Sequence, residues 1–256
     1  MSGDEGSPSP GAARRVGPRE PGVNAGWRYR LMRWGVRLVV GALFRVRADG
    51  LDRWPTAPFC LVANHHNGWD PMILISIMPE RPRVTWFGPK EADFSRGFKN
   101  RVMAFFGGVI PFNPEMTTLT SATRAVRRVF DTGGVLGIFA EGRNGFRESE
   151  VQPFEEGAIV FATMAGVPII PCVIAGTTHL WFGKRITVRF GEPIATLGVR
   201  GAAARGELTE RVRAAMAEML PEHEPGPPGR RPLRAFLTDL LNGPDDIRRR
   251  VDELGE

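Results

Sequence analysis

Residues 62–72 read VANHHNGWDPM, and this stretch decides the fold. Just upstream, FCLVAN (59–64) is an unbroken apolar run of strand length, which reads as a strand buried on both faces. Just downstream, PMILISIM (71–78) reads as a helix, and Asp70-Pro71 looks like its start. Asp suits an N-cap and Pro suits the first helical position. Asn67-Gly68 is a turn pair. A strand therefore ends at Asn64, turns, and enters a helix at Asp70. Outward from this unit the alternation repeats. GVIPF (108–112), GVLGIF (134–139), PIIPCVIA (168–175) and ITVRFG (186–191) read as strands. LTSATRAVRRVFDTG (119–133) and PFEEGAIVFATMAG (153–166) read as helices that stop at Gly. The pattern predicts an α/β fold, one domain with a largely parallel central sheet flanked by helices.

The 256 residues suffice for one sizeable core. Hydrophobic residues at 42% and charged residues at 24% exclude wholesale disorder. Cys60 and Cys172 are too few for a disulfide framework and fall in predicted strands, where small buried side chains belong. Residues 1–26 are Gly, Pro, Ser and charge, with no signal-peptide core, and read as a disordered arm on a cytoplasmic protein. Residues 27–220 hold the folded domain. Residues 221–256 begin as a Pro/Gly linker and continue as a helical tail with no assignable role. At 27–47 an amphipathic helix is expected, with Arg30, Arg33 and Arg37 on one stripe and Leu31, Trp34, Leu38 and Ala42 on another. Its longest uncharged run, LVVGALF, is too short to span a bilayer. The helix either lies on a membrane interface or packs on the domain with its arginines solvated. The net charge of +6 admits nucleic acid, an anionic membrane surface or an anionic substrate. With no nucleic-acid module in the chain, nucleic acid is set aside. Basic Arg83, Lys90, Arg96, Lys99 and Arg101 interleave with Trp86, Phe87, Phe94, Phe98, Phe105 and Phe106. That mixture suits a membrane-facing lip, or a solvated loop with core aromatics.

His65 and Asp70 stand five apart. On a continuous helix their side chains would diverge by about 140°. The intervening turn instead allows His65 to fold back, so that the carboxylate fixes one ring nitrogen and leaves the other as a general base. Alternatively Asp70 is only a cap and His65 a loop residue. A metal site at His65, His66 and Asp70 lacks a third clear ligand, and neither metal nor cofactor is expected.

Taken together, the chain resembles the glycerophospholipid acyltransferases typified by lysophosphatidic acid acyltransferases. The family's N-H-x-x-x-x-D motif is matched by Asn64, His65 and Asp70, with Pro71 following. Its G-x-x-F-I-[DN]-R motif is echoed from Gly108 through Phe112 and Asn113 to Pro114. F-P-E-G-T-R-S is echoed from Phe139 through Glu141, Gly142 and Arg143 to Gly145, and V-P-[IV]-[IV]-P by Val167 through Pro171. Four ordered blocks over residues 30–220 make the resemblance specific.

The resemblance implies transfer of an acyl group from acyl-CoA or acyl-carrier protein to a glycerolipid hydroxyl, with His65 as base and Asp70 holding the imidazole. No nucleophile elbow is needed, and the chain has no G-x-S-x-G. It further implies a substrate site drawn from Asn64, Gly108, Asn113, Glu141, Gly142, Arg143, Arg147 and Pro171. Two departures bear on the acceptor. Pro114 stands where the family has Arg, and Arg143-Asn144 stands where it has Thr-Arg; Gly68 replaces a frequent Ser. Lysophosphatidic acid is the expected acceptor, on the cytoplasmic face of the membrane. The alternatives are another lysolipid or glycolipid, a thioester hydrolase, or a non-catalytic lipid-binding protein on the same fold.

Overall fold

A computed structural model describes residues 26–55, 58–88, 108–110, 119–142, 150–221 and 240–241. Helix α1 (Trp27–Leu43) leads into strand β1 (Arg45–Asp49) and a short 3-10 turn. There follow β2 (Phe59–Ala63), α2 (Asp70–Ile77), β3 (Val84–Phe87), β4 (Val109–Ile110), α3 (Leu119–Asp131), β5 (Val135–Phe139), α4 (Gly157–Ala165), β6 (Ile169–Ala175), β7 (Arg185–Phe190) and α5 (Gly201–Met219). The seven strands form one sheet in the order β1-β7-β6-β2-β5-β3-β4. Every pairing is parallel except β6 with β7. The α/β fold with a largely parallel sheet flanked by helices is as the sequence predicts.

β2 lies at the centre, between β5 and β6, and all five of its residues are buried. Because successive side chains alternate faces, Phe59, Leu61 and Ala63 join one core and Cys60 and Val62 the other. The first core packs under α1 and α2 through Val40, Phe44, Ile73, Leu74 and Met78. The second packs under α3, α4 and α5 through Val129, Ile159, Leu208 and Val212. Both cysteines are free and buried. Burial pushes the Cys60 thiol up to about 12, and burial with the nearby Asp70 charge also raises Cys172, so both are inert packing residues.

Two sequence expectations need correcting. The helix from Trp27 ends at Leu43, and residues 45–47 belong to β1, an edge strand parallel to β7. RVRAD carries a period-two pattern that the arginine stripe obscured. The segment from Val84 to Phe87 is strand β3, not a lip: Trp86 is only 5% exposed and faces the core. Arg83, before β3, lays its guanidinium over the Tyr29 ring at 4.7 Å, inside the fold. The remaining aromatics and cations assigned to that lip lie outside the described residues. On α1 the whole second stripe points outward: Leu31, Trp34 and Leu38 are 52%, 65% and 61% exposed, and Ala42 is exposed too. Tyr29 and Val40 face inward instead. Among the described residues no helix is long and apolar enough to cross a membrane.

Candidate active site

The site forms where β2 and β5 end side by side. Asn64, fully buried, extends the sheet with its side chain: its amide donates to the Ile174 carbonyl at 2.9 Å, and its Oδ1 accepts from Ile174 N–H at 2.7 Å. It thereby stitches the end of β2 to β6. The chain next turns through Asn67, whose Oδ1 accepts from Trp69 N–H at 3.1 Å and whose carbonyl accepts from Asp70 N–H at 2.9 Å. Asp70 is the first helical residue rather than the cap, which is Trp69. Its carboxylate consequently points back into the loop. Oδ2 accepts from the backbone N–H of His66 at 2.7 Å and of Asn67 at 2.8 Å, and meets His65 Nδ1 at 2.8 Å.

Asp70 is fully buried. Burial alone would raise its carboxyl, but the His65 hydrogen bond and charge, His66 and the Asn67 N–H outweigh that and hold it below the usual range. An ionised carboxylate only accepts, so Nδ1 carries the hydrogen of this contact, and in the neutral ring Nε2 is the nitrogen that presents a lone pair. The His65 side chain is 22% exposed. Its ring stacks on Phe139 at 4.3 Å, and Phe139 stacks on Trp86 at 4.9 Å. This three-ring column needs Gly137, where a Cβ would come within 2.7 Å of the Trp86 indole.

Glu141 is 2% exposed and joins two loops: Oε2 accepts from His65 N–H at 3.1 Å and Oε1 from Gln152 N–H at 2.9 Å. Burial raises its carboxyl, against the pull of those two N–H groups. Gly142 turns out of the strand end at φ +63°, where a Cβ would lie 2.7 Å from Glu155 Cγ. The structure thus brings Asn64, His65, Asp70, Glu141 and Gly142 together. Gly108 is not with them: it precedes β4 and lies against the Arg83 guanidinium. Pro171 is not with them either. It pairs with Val62 within the sheet, and a Cβ on Gly191 would lie 2.8 Å from its Cγ. Asn113, Arg143 and Arg147 lie outside the described residues. Sequence reading missed the Phe139–Trp86 column, for which the one available signal was a glycine inside a buried strand. Chemically, the arrangement is an oriented imidazole whose second nitrogen has no hydrogen-bond partner among the described residues, backed by a fixed negative charge.

The sequence profile of the Acyltransferase family matches residues 45–175, just over half of the chain. The chain belongs to the acyltransferase family. Among its relatives, 1-acyl-sn-glycerol-3-phosphate acyltransferase beta from Homo sapiens is 29% identical over 172 residues, which are 63% of this chain and 59% of that protein. The alpha enzyme from Bos taurus is 26% identical over 209 residues, 75% of this chain and 68% of that one. The match thus spans about three fifths of the human relative's length. The crystal structure of the 1-acyl-sn-glycerophosphate (LPA) acyltransferase PlsC from Thermotoga maritima shares the acyltransferase fold. Its TM-score is 0.60 at 18% identity, over 77% of this chain and 81% of that one. The family resemblance carried by the four motifs is therefore borne out.

Proposed function

We propose that this acyltransferase moves a fatty acyl group from a thioester donor, acyl-CoA or acyl-carrier protein, to the free hydroxyl of lysophosphatidic acid, giving phosphatidic acid. The observation that carries the reading is the His65 Nδ1–Asp70 Oδ2 contact at 2.8 Å, which leaves Nε2 without a hydrogen-bond partner among the described residues. Nε2 takes the proton of the acceptor hydroxyl as its oxygen attacks the thioester carbonyl. The C–S bond then breaks, and the departing thiolate takes the proton back from the imidazolium. Asp70 stays ionised and stabilises the transient charge. Glu141 positions the backbone of His65 rather than binding the acceptor.

The lysolipid acceptor comes from a lipid surface, and α1 supplies a face to meet it. The helix exposes Trp27, Leu31, Trp34 and Leu38 beside Arg30, Arg33 and Arg37 and carries no acid of its own, although Glu80 from beyond α2 pairs with Arg30 at 2.5 Å. Peripheral attachment to an anionic, cytoplasmic membrane face is the reading this supports. Another lysolipid acceptor is favoured by one feature, Pro114 in place of a phosphate-binding arginine.

The test is to supply the purified chain with labelled acyl-CoA, then with acyl-carrier protein, beside lysophosphatidic acid, a zwitterionic lysophospholipid and a lysoglycolipid. Labelled phosphatidic acid as the main product is expected. Preference for another acceptor would move the assignment to that lipid, and free fatty acid alone would mean hydrolysis.

A further inference from the structure

The residue before Asp70 is held by a piece of chain far along the sequence. Trp69 is the N-cap of α2, its carbonyl accepting from Ile73 N–H at 2.9 Å. Its own N–H is taken by Asn67. Its ring meets Phe44 edge-on, with centroids 5.6 Å apart, and its indole N–H donates to the Leu241 carbonyl at 3.1 Å. Trp69 is thus fixed at both backbone ends and at the tip of its ring.

Leu240 and Leu241 behave oppositely. Leu240 is 67% exposed, whereas Leu241 is 7% exposed and belongs to the core under α1 and α2, with Phe44 and Leu74. A tail merely tethered to the domain would wet both. One buried leucine and a hydrogen bond from its own carbonyl to the indole instead make a specific docking point. Asp70 follows Trp69 directly, so any rotation of Trp69 displaces the carboxylate that sets the His65 ring.

We propose that Leu241 is a positioning residue: it docks on Trp69 and holds Asp70 in register with His65. The kinetic consequence rests on the acyl-transfer reading, whereas the structural one does not.

Full-length variants test this by turnover and by the low-field proton resonance of the His65 Nδ1–Asp70 hydrogen bond. In Leu241→Ala, kcat should fall about tenfold with KM nearly unchanged, because catalytic geometry rather than substrate contact is lost. The resonance should move or broaden. Leu241→Met, close in volume, should restore both, and Leu240→Ala should match wild type. Trp69→Phe removes the indole donor, and adding it to Leu241→Ala should cost little more, since both act through one contact. Wild-type kcat and resonance in Leu241→Ala would overturn the proposal. So would strictly additive losses, or a loss fully explained by the unfolded fraction. An inactive wild type whose resonance still responds to Leu241→Ala would instead count against the acyl-transfer reading alone.

Discussion

Asp70 Oδ2 collects three donors, and its partner oxygen Oδ1 has none among the described residues. One buried oxygen therefore organises both the loop and the imidazole. Asp70→Asn should keep the fold but remove the charge and offer the ring a donor as readily as an acceptor. Turnover should drop about 10²- to 10⁴-fold. The same residue fixes a pH dependence. Its folded carboxyl is held below the unfolded value, so the stability it contributes is complete above the usual carboxylate range. That stability is lost as pH falls through the depressed folded value. The melting-temperature gap between wild type and Asp70→Asn should accordingly narrow in acid, and a gap that stays constant would contradict the assignment. Glu141 works in the opposite sense, because burial raises its carboxyl. Wild type should lose stability relative to Glu141→Gln as pH rises from the usual Glu range through that raised value, as read by urea unfolding across the window.

Among the elements, the end of β2 depends on side chains replacing backbone. Asn64→Ala would leave the Ile174 N–H and carbonyl unpaired in the interior, costing about 1–3 kcal/mol for each such group in denaturant unfolding. At Gly137 a Val would drive its branched side chain into the Trp86 ring, costing about 1–3 kcal/mol, and would break the column behind His65. Unchanged stability in Gly137→Val would show that the column is not close-packed. The same elements mark what sequence could reveal. β2 and α2 were legible because an apolar run and Asp-Pro signal strand and helix locally. The return of His65 to Asp70 was legible as a possibility, since a turn lay between them. β1 and β3 were hidden, being short and laden with arginine or aromatic residues whose burial is decided by distant partners. The substrate roles given to Asn64, Gly108 and Pro171 came from motif positions. Motif position cannot separate a residue that touches substrate from one that builds the sheet beneath it.

For the whole molecule, the fold places α1 with its apolar stripe outward and its C-terminal end, at Phe44, against Trp69 beside the site. Trp34→Glu and Leu38→Glu should weaken flotation with anionic vesicles while leaving the melting temperature unchanged, because both side chains are largely exposed. Added salt should weaken it further by screening the arginines. Flotation that ignores both changes would remove α1 as the anchor. The most direct test of the central claim is the rate of labelled acyl transfer from thioester to lysolipid by wild type and by His65→Ala at matched folded concentration. Robust lipid product in wild type and at least a hundredfold less in His65→Ala is the expected result, whereas equal product from both would contradict His65 as the base.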